Sequence, residues 1–222
     1  MKSPRPIRAI IFDFDGVLAD TERLHLRAIQ DALAAHGRRL DERAYFDRYL
    51  GFGDRDLFVE LARDQAWAGE ASAIDALVSL KADRYRHHLA SGDALYPRAR
   101  ACVTGLSARF PLAIASGSLR GEIEYILDAA GLRRAFGAIV GADDVTNGKP
   151  APDPYTKAAA LLGVEPSAAV AIEDSRWGID SAHAAGMRAI AVTTSYPATA
   201  LASADLIVDS LDAISLDTIE RL

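Results

Sequence analysis

The chain has 222 residues, half of them hydrophobic and a quarter charged, and Gly and Pro together make up only 25, which excludes collagen-like, low-complexity and disordered classes. Asp and Glu number 31 against 25 Lys and Arg, a net charge of -6, so the whole-surface basic footprint of a nucleic-acid binder is missing. Cys102 is the only cysteine, which rules out an intrachain disulfide.

Ile7 to Phe12 is a short, isoleucine-rich apolar run that meets Asp13-Phe14-Asp15-Gly16, and it predicts a buried strand ending in a loop. Residues 21 to 92 then carry helical spacing throughout. Leu26, Ile29 and Leu33 recur before Gly37, and Asp41 is placed to cap a helix carrying Tyr45, Phe46 and Tyr49. Leu57, Phe58 and Leu61 mark a third helix, and Ile74, Leu77, Tyr85 and Leu89 a fourth before Gly92. Beyond these, strands and helices alternate. Leu112 to Ala115, Ala138 to Val140, Ala168 to Ile172, Ala189 to Val192 and Leu206 to Val208 are apolar runs of strand length. Leu119 to Ala130 before Gly131, Tyr155 to Leu162 before Gly163, and Trp177 to Ala185 before Gly186 read as helices. Strands apolar on both faces, separated by helices, predict an α/β fold: a Rossmann-like parallel sheet with helices on both faces, plus an inserted bundle of four helices. The expected domains are residues 1–20 with 93–222 as an α/β core and 21–92 as the helical insertion, with linkers at Ala19 to Thr21 and Ser91 to Leu95. No internal repeat is present.

In a parallel sheet, ligands sit outside the carboxyl ends of the strands, so the chemistry follows from what each strand delivers there. The first delivers Asp13 and Asp15, the second Ser116-Gly117-Ser118, the fourth Glu173-Asp174-Ser175, while the loop Asn147-Gly148-Lys149-Pro150 supplies a cation. Carboxylates from two strands suit a hard divalent ion such as Mg2+. Lys149, the Ser116 hydroxyl and nearby backbone N–H groups suit phosphate oxygens. Together they describe a site for phosphoryl transfer, where positioning and charge neutralisation do most of the catalysis. Taken singly, each piece has an ordinary explanation: Asp13 and Asp15 as turn residues, Ser116 as a helix start, Asp174 as a helix cap, Lys149 as a solvated loop. Capping gives no reason for four segments to converge at one end of one sheet. A P-loop fits poorly, because Asp143 stands where the first glycine is needed and Pro150 replaces Ser or Thr.

The motifs Phe12-Asp13-Phe14-Asp15-Gly16-Val17-Leu18 with Asp20-Thr21-Glu22, Ala115-Ser116-Gly117-Ser118, Gly148-Lys149-Pro150-Ala151-Pro152-Asp153, and Glu173-Asp174-Ser175 with Gly178, Ala182, Gly186 and Met187 occur in that order. In this they resemble the haloacid dehalogenase superfamily, and within it the subgroup of β-phosphoglucomutase and small sugar-phosphate phosphatases. The resemblance implies that Asp13 is the nucleophile and Asp15 the general acid and base. It implies Mg2+ held by Asp13, the backbone carbonyl of Asp15 and Asp174, with Glu173 close by or ligating, and a phosphoryl group held by Ser116, Gly117 and Lys149. The helical insertion resembles the family's cap domain, in which Thr21, His25 and Lys81 match positions that contact substrate. Arg55 is offset by one residue from that branch's phosphate-binding arginine. Dehalogenation is disfavoured because the namesake enzymes lack the Mg2+-site acids and an acid at the position of Asp15. His87-His88 looks like a metal pair, but neighbours on a helix point about 100° apart and a solvated helix end is the simpler reading.

The expected function is therefore a magnesium-dependent phosphatase that hydrolyses a small phosphate monoester, a sugar phosphate by class, through a phosphoaspartate. A sugar-phosphate mutase using the same aspartate is the alternative. A receiver-like phosphoacceptor is the non-enzymatic one, disfavoured because receivers lack a four-helix insertion. The expected partner is a small phosphorylated metabolite, with no nucleic acid and no membrane, and the protein is expected to be a monomer. Asp13 and Asp15 interrupt any signal-peptide core after Ala9 to Phe12, and the apolar runs fall short of the ~18 residues of a membrane span, so the chain is expected in the cytoplasm.

Overall fold

The computed structural model describes residues 6–49, 52, 54–67, 71–90 and 94–222. The chain forms two compact units, one of residues 1–20 with 94–222 and the other of residues 21–93. Of the linker expected at Ser91 to Leu95, residues 91–93 lie outside the described part, as do Gly51, Gly53 and the helix-ending Gly92.

The first unit begins with β1 (Ala9–Phe12). The insertion contributes α1 (Thr21–Ala34), α2 (Glu42–Ala44) continued by a π-helical turn Tyr45–Tyr49, α3 (Asp54–Asp64) and α4 (Ala71–Ala90). The first unit resumes with α5 (Ala99–Ser107), β2 (Leu112–Ala115), α6 (Arg120–Ala129), β3 (Phe136–Val140), α7 (Asp153–Leu162) and β4 (Ala169–Glu173). It closes with α8 (Arg176–Ala184), β5 (Arg188–Val192), β6 (Leu206–Val208) and α9 (Leu216–Glu220). The six strands among the described residues are all parallel, in the order β3-β2-β1-β4-β5-β6. That order reverses direction between β1 and β4, which is where open α/β sheets bind their ligands. The parallel sheet and the helical insertion agree with the fold read from the sequence.

One sheet face is built from small residues: Ala113 and Ala115 on β2, Ala169 and Ala171 on β4, Ala189 and Ala191 on β5. Ala158 and Ala159 of α7 meet it, so helix and sheet backbones approach closely, and Tyr155 at the start of α7 is sunk completely. Gly163 ends α7 in the left-handed region at φ 68°, where only glycine is free of strain.

In the second unit, α1 and α3 pack on α4 around Leu26, Ile29, Leu33, Phe58, Leu61 and Leu77. Asp41 caps α2 by accepting from Ala44 N at 2.8 Å, as its position predicted. The expected helix through Tyr49 is α-helical for one turn only. Tyr45 and Tyr49 are both buried, with hydroxyls donated to Glu22 and to Asp64, and the wider π turn admits both rings while leaving Phe46 exposed. The helix α5 has no counterpart in the sequence reading. Its apolar stripe Ala99, Cys102, Val103 and Leu106 is regular, but no side chain caps its start and it contains Val103, Thr104 and Gly105, all weak helix formers. No described helix is long and apolar enough to cross a membrane.

Candidate active site

Backbone continuity carries Asp13 to the switch point: its N–H donates to Ile172 O at 2.8 Å, extending the β1–β4 ladder one residue past β1. The chain then turns through Gly16 at φ +77°, and a Cβ there would stand 1.9 Å from Asp174 Oδ2. Position 16 therefore requires glycine twice over, for its backbone and for the carboxylate beside it. Glu173 is the last residue of β4 and is wholly buried, with Asp174 next to it. One carboxylate oxygen from each of Asp13, Glu173 and Asp174 falls within a 4.8 Å group. Lys149 enters from the loop before α7, its Nζ 2.8 Å from Asp13 Oδ1 and 2.5 Å from Glu173 Oε1.

Each acid is held differently. Glu173 Oε1 accepts from Lys149 and from the Tyr155 hydroxyl at 2.8 Å, and Oε2 from Asp174 N and Ser175 N, both at 3.1 Å, and from Ser175 Oγ at 3.0 Å. The carboxylate fills the space a side chain at Gly178 would need, since a Cβ there would lie 1.7 Å from Oε1. Asp174 accepts from Ser195 Oγ, and Thr194 Oγ1 donates to Gly16 O, so the loop after β5 clasps the first and fourth strand ends together. The cap of α8 is Ser175, accepting from Gly178 N, which removes the capping explanation for Asp174.

Burial pushes the Asp13 carboxyl well above the usual range, opposed by the Lys149 charge and reinforced by Glu173, Asp174 and Asp15. Burial likewise raises Asp174 to about 6, against the lowering effect of the Ser195 hydroxyl. Burial alone would lower the Lys149 ammonium, but the charges of Asp13 and Glu173 outweigh it and hold it above the ordinary lysine value. Tyr155 is raised first by burial and then by the charges of Glu173 and Asp13, so its hydroxyl stays a donor. With the three carboxylates ionised and one ammonium, the cluster carries two uncompensated negative charges on oxygen donors. That donor set and that charge fit a hard dication.

Asp15 takes a different partner set. Its Oδ2 accepts from Ser118 Oγ at 2.5 Å and from Ser116 Oγ at 3.2 Å, while Ser116 Oγ accepts from Ser118 N at 3.0 Å. Ser116, expected to face a phosphoryl group, thus shares its single hydroxyl proton with Asp15. Gly117 between them is exposed, and nothing lies within 4 Å of where its Cβ would stand.

The helical unit holds its own charged cluster. Lys81 is 2% exposed, with Nζ 2.6 Å from Asp54 Oδ1 and 2.7 Å from His25 Nδ1. An ammonium only donates, so His25 Nδ1 accepts and the ring proton resides on Nε2. The His25 ring stacks on Tyr85 at 4.1 Å between centroids. Thr21 opens the same helix one turn earlier. Arg55 is not part of the cluster: its guanidinium pairs with Asp75 at 3.2 Å on the exposed surface, and its neighbour Asp54 occupies the place beside Lys81. His88 pairs with Asp31 at 2.8 Å, which accounts for it without a metal.

Sequence reasoning missed Tyr155, Ser195, Asp54 and Tyr85. Tyr155 reads from the sequence only as an apolar position of its helix, and Ser195 stands in a loop, Thr193-Thr194-Ser195, with no motif of its own.

A family model described as haloacid dehalogenase-like hydrolase matches residues 7–186. The chain belongs to that family of hydrolases. It is 34% identical over 232 residues to protein CbbY of Rhodobacter capsulatus, covering 97% of this chain and 99% of that one. It is 32% identical over 192 residues to fructose-1-phosphate phosphatase YqaB of Escherichia coli K12, covering 82% and 95%. Among solved structures it is similar to CbbY from Rhodobacter sphaeroides in complex with phosphate, with a TM-score of 0.71, 31% identity and coverage of 97% and 100%.

Proposed function

We propose that this hydrolase is a magnesium-dependent phosphatase acting on a small phosphate monoester, a sugar phosphate by class, through a phosphorylated Asp13. One observation carries the reading: three buried acids and one lysine from three separate segments meet at the switch point of the sheet, so that acids outnumber the one cation. The relatives named for phosphate or for phosphatase activity support it.

Asp13, Asp174 and the Asp15 carbonyl are the groups assigned to hold Mg2+, with Glu173 beside them; the ion supplies charge neutralisation for the phosphoryl oxygens and the nucleophile. Asp13 attacks phosphorus, its carboxylate oxygen forming the acyl phosphate as the ester P–O bond breaks. Asp15 gives its proton to the departing alkoxide. It then takes a proton from water, which attacks the acyl phosphate, releases inorganic phosphate and restores the Asp13 carboxylate; such a role is worth about 10²- to 10⁴-fold. Lys149, Ser116 and the Gly117 backbone hold the phosphoryl oxygens. Recognition of the leaving group is assigned to Thr21, His25 and Lys81 of the helical unit.

The test is a panel of sugar monophosphates, including β-glucose 1-phosphate with a trace of its 1,6-bisphosphate, followed for inorganic phosphate and glucose 6-phosphate in parallel. Steady Mg2+-dependent phosphate release, lost in Asp13→Asn, is expected. Rapid isomerisation with little phosphate release would replace the phosphatase by a mutase.

A further inference from the structure

We infer that Tyr155 is a positioning residue for Lys149, acting through Glu173; the inference rests on the phosphatase reading only for the part Lys149 plays in turnover. Tyr155 is fully buried in a core face otherwise made of Ala, Val, Ile, Leu and Met, where packing alone would be served by phenylalanine. Its hydroxyl is nevertheless used, and its partner is the oxygen that holds the lysine. Glu173 Oε1 is shared between Tyr155 at 2.8 Å and Lys149 at 2.5 Å. The other oxygen is fixed by two backbone N–H groups and the Ser175 hydroxyl, and the bare Cα of Gly178 lets the carboxylate lie flat against α8. The carboxylate is thus clamped at both ends.

Lys149 has three N–H donors. Two are directed by Asp13 and Glu173, so the third points where these two allow. The Tyr155 ring lies 5.0 Å from Nζ and bounds the ammonium on another side. Without the hydroxyl, Oε1 loses its competing donor, the Glu173–Lys149 pair tightens, and the ammonium is drawn off Asp13. Ser175 acts on the same carboxylate from its other oxygen.

The test is Tyr155→Phe, which keeps the ring and removes only the oxygen. On p-nitrophenyl phosphate, kcat is expected to fall about tenfold, the loss expected for a hydrogen bond to a charged group, with KM within about twofold of the native value. The side-chain 15N resonance of Lys149 is expected to move in the same variant. Ser175→Ala should lower kcat in the same way, and the double variant should lose less than the product of the two, because both act through one carboxylate. If Tyr155→Phe fails to fold, Ser175→Ala with the Lys149 resonance decides. An unchanged Lys149 resonance overturns the inference whatever the kinetics, and so does an unchanged kcat in an active enzyme. A shifted resonance in a protein that hydrolyses no phosphate monoester keeps the positioning role and rejects the phosphatase reading.

Discussion

The two units each hold a lysine among acids, Lys81 buried and Lys149 largely so, and they do opposite things with it. Lys81 in the helical unit meets one carboxylate, Asp54, and one imidazole, His25, so charge is balanced within the cluster. Lys149 in the sheet unit meets Asp13 and Glu173 with Asp174 alongside, so three acids outnumber it. A buried charge is tolerated when paired and costly when not. The first cluster is therefore complete as it stands. The second is relieved either by protons, as the raised Asp13 and Asp174 carboxyls show, or by further positive charge, and three acids outnumbering one cation at the end of a parallel sheet is the donor set a dication-dependent phosphoryl-transfer site needs.

Removing each lysine breaks the comparison most sharply. Lys149→Met should lower turnover about 10²- to 10³-fold, as losing one donor to a developing charge does in other enzymes. It should also lower stability by about 3 kcal/mol at neutral pH, since it leaves buried acids without their counter-ion. That loss should shrink as pH falls and the carboxyls take up protons, which denaturant titration at two pH values would measure. Lys81→Met should be milder, because the Asp54 left behind is partly exposed and can be hydrated.

The raised acids give a pH dependence of definite sign. Asp174 binds its proton more tightly folded than unfolded, its carboxyl raised by burial from the ordinary 3.8 to about 6. More protons on the folded state means that this group's contribution to metal-free stability declines as pH rises through that interval. Binding of Mg2+ requires the ionised carboxylate. The rise in melting temperature on adding Mg2+ should therefore be large at about pH 8 and should fade below about pH 6; equal shifts at both would remove Asp174 from the metal site.

The smallest effect concerns Asp54→Asn, which keeps the shape and removes the charge facing Lys81. A stability loss of about 1 to 3 kcal/mol is expected, because the ammonium loses the charge of its carboxylate partner. Substrates with a second phosphate should gain relative to monophosphates, since the cluster then carries a net positive charge. An unaltered preference would show that the helical cluster does not read the leaving group.

How much of this was legible in the sequence follows from where each residue gets its position. Asp13, Ser116 and Asp174 follow directly on strands and Glu173 ends one, and short apolar runs with acids or serines at their ends reveal them at once. Gly163 and Gly186 ended their helices as predicted because a positive φ is a local demand. Tyr155, Ser195 and Asp54 were not legible. Each acts through a hydrogen bond to a residue 18 or more positions away, created by strand order or helix packing. Arg55 stands out in the sequence by lying one residue from the position of the resembled branch's phosphate-binding arginine, and that one step of helix rotation puts it on the surface with Asp54 beside Lys81. The π turn at Tyr45–Tyr49 came from two tyrosine hydroxyls finding different acids, which spacing alone does not encode.

The central claim is that Asp13 carries the phosphoryl group while Asp15 moves the protons. Asp15→Asn, incubated with a substrate bearing an activated leaving group and Mg2+, needs no acid for the first step and lacks the base for the second. Acid quenching followed by peptide mass analysis should find one phosphoryl group on the peptide containing Asp13, absent without Mg2+ and absent in Asp13→Asn. A protein that turns over substrate with no covalent phosphate, or with phosphate on another residue, would contradict the account.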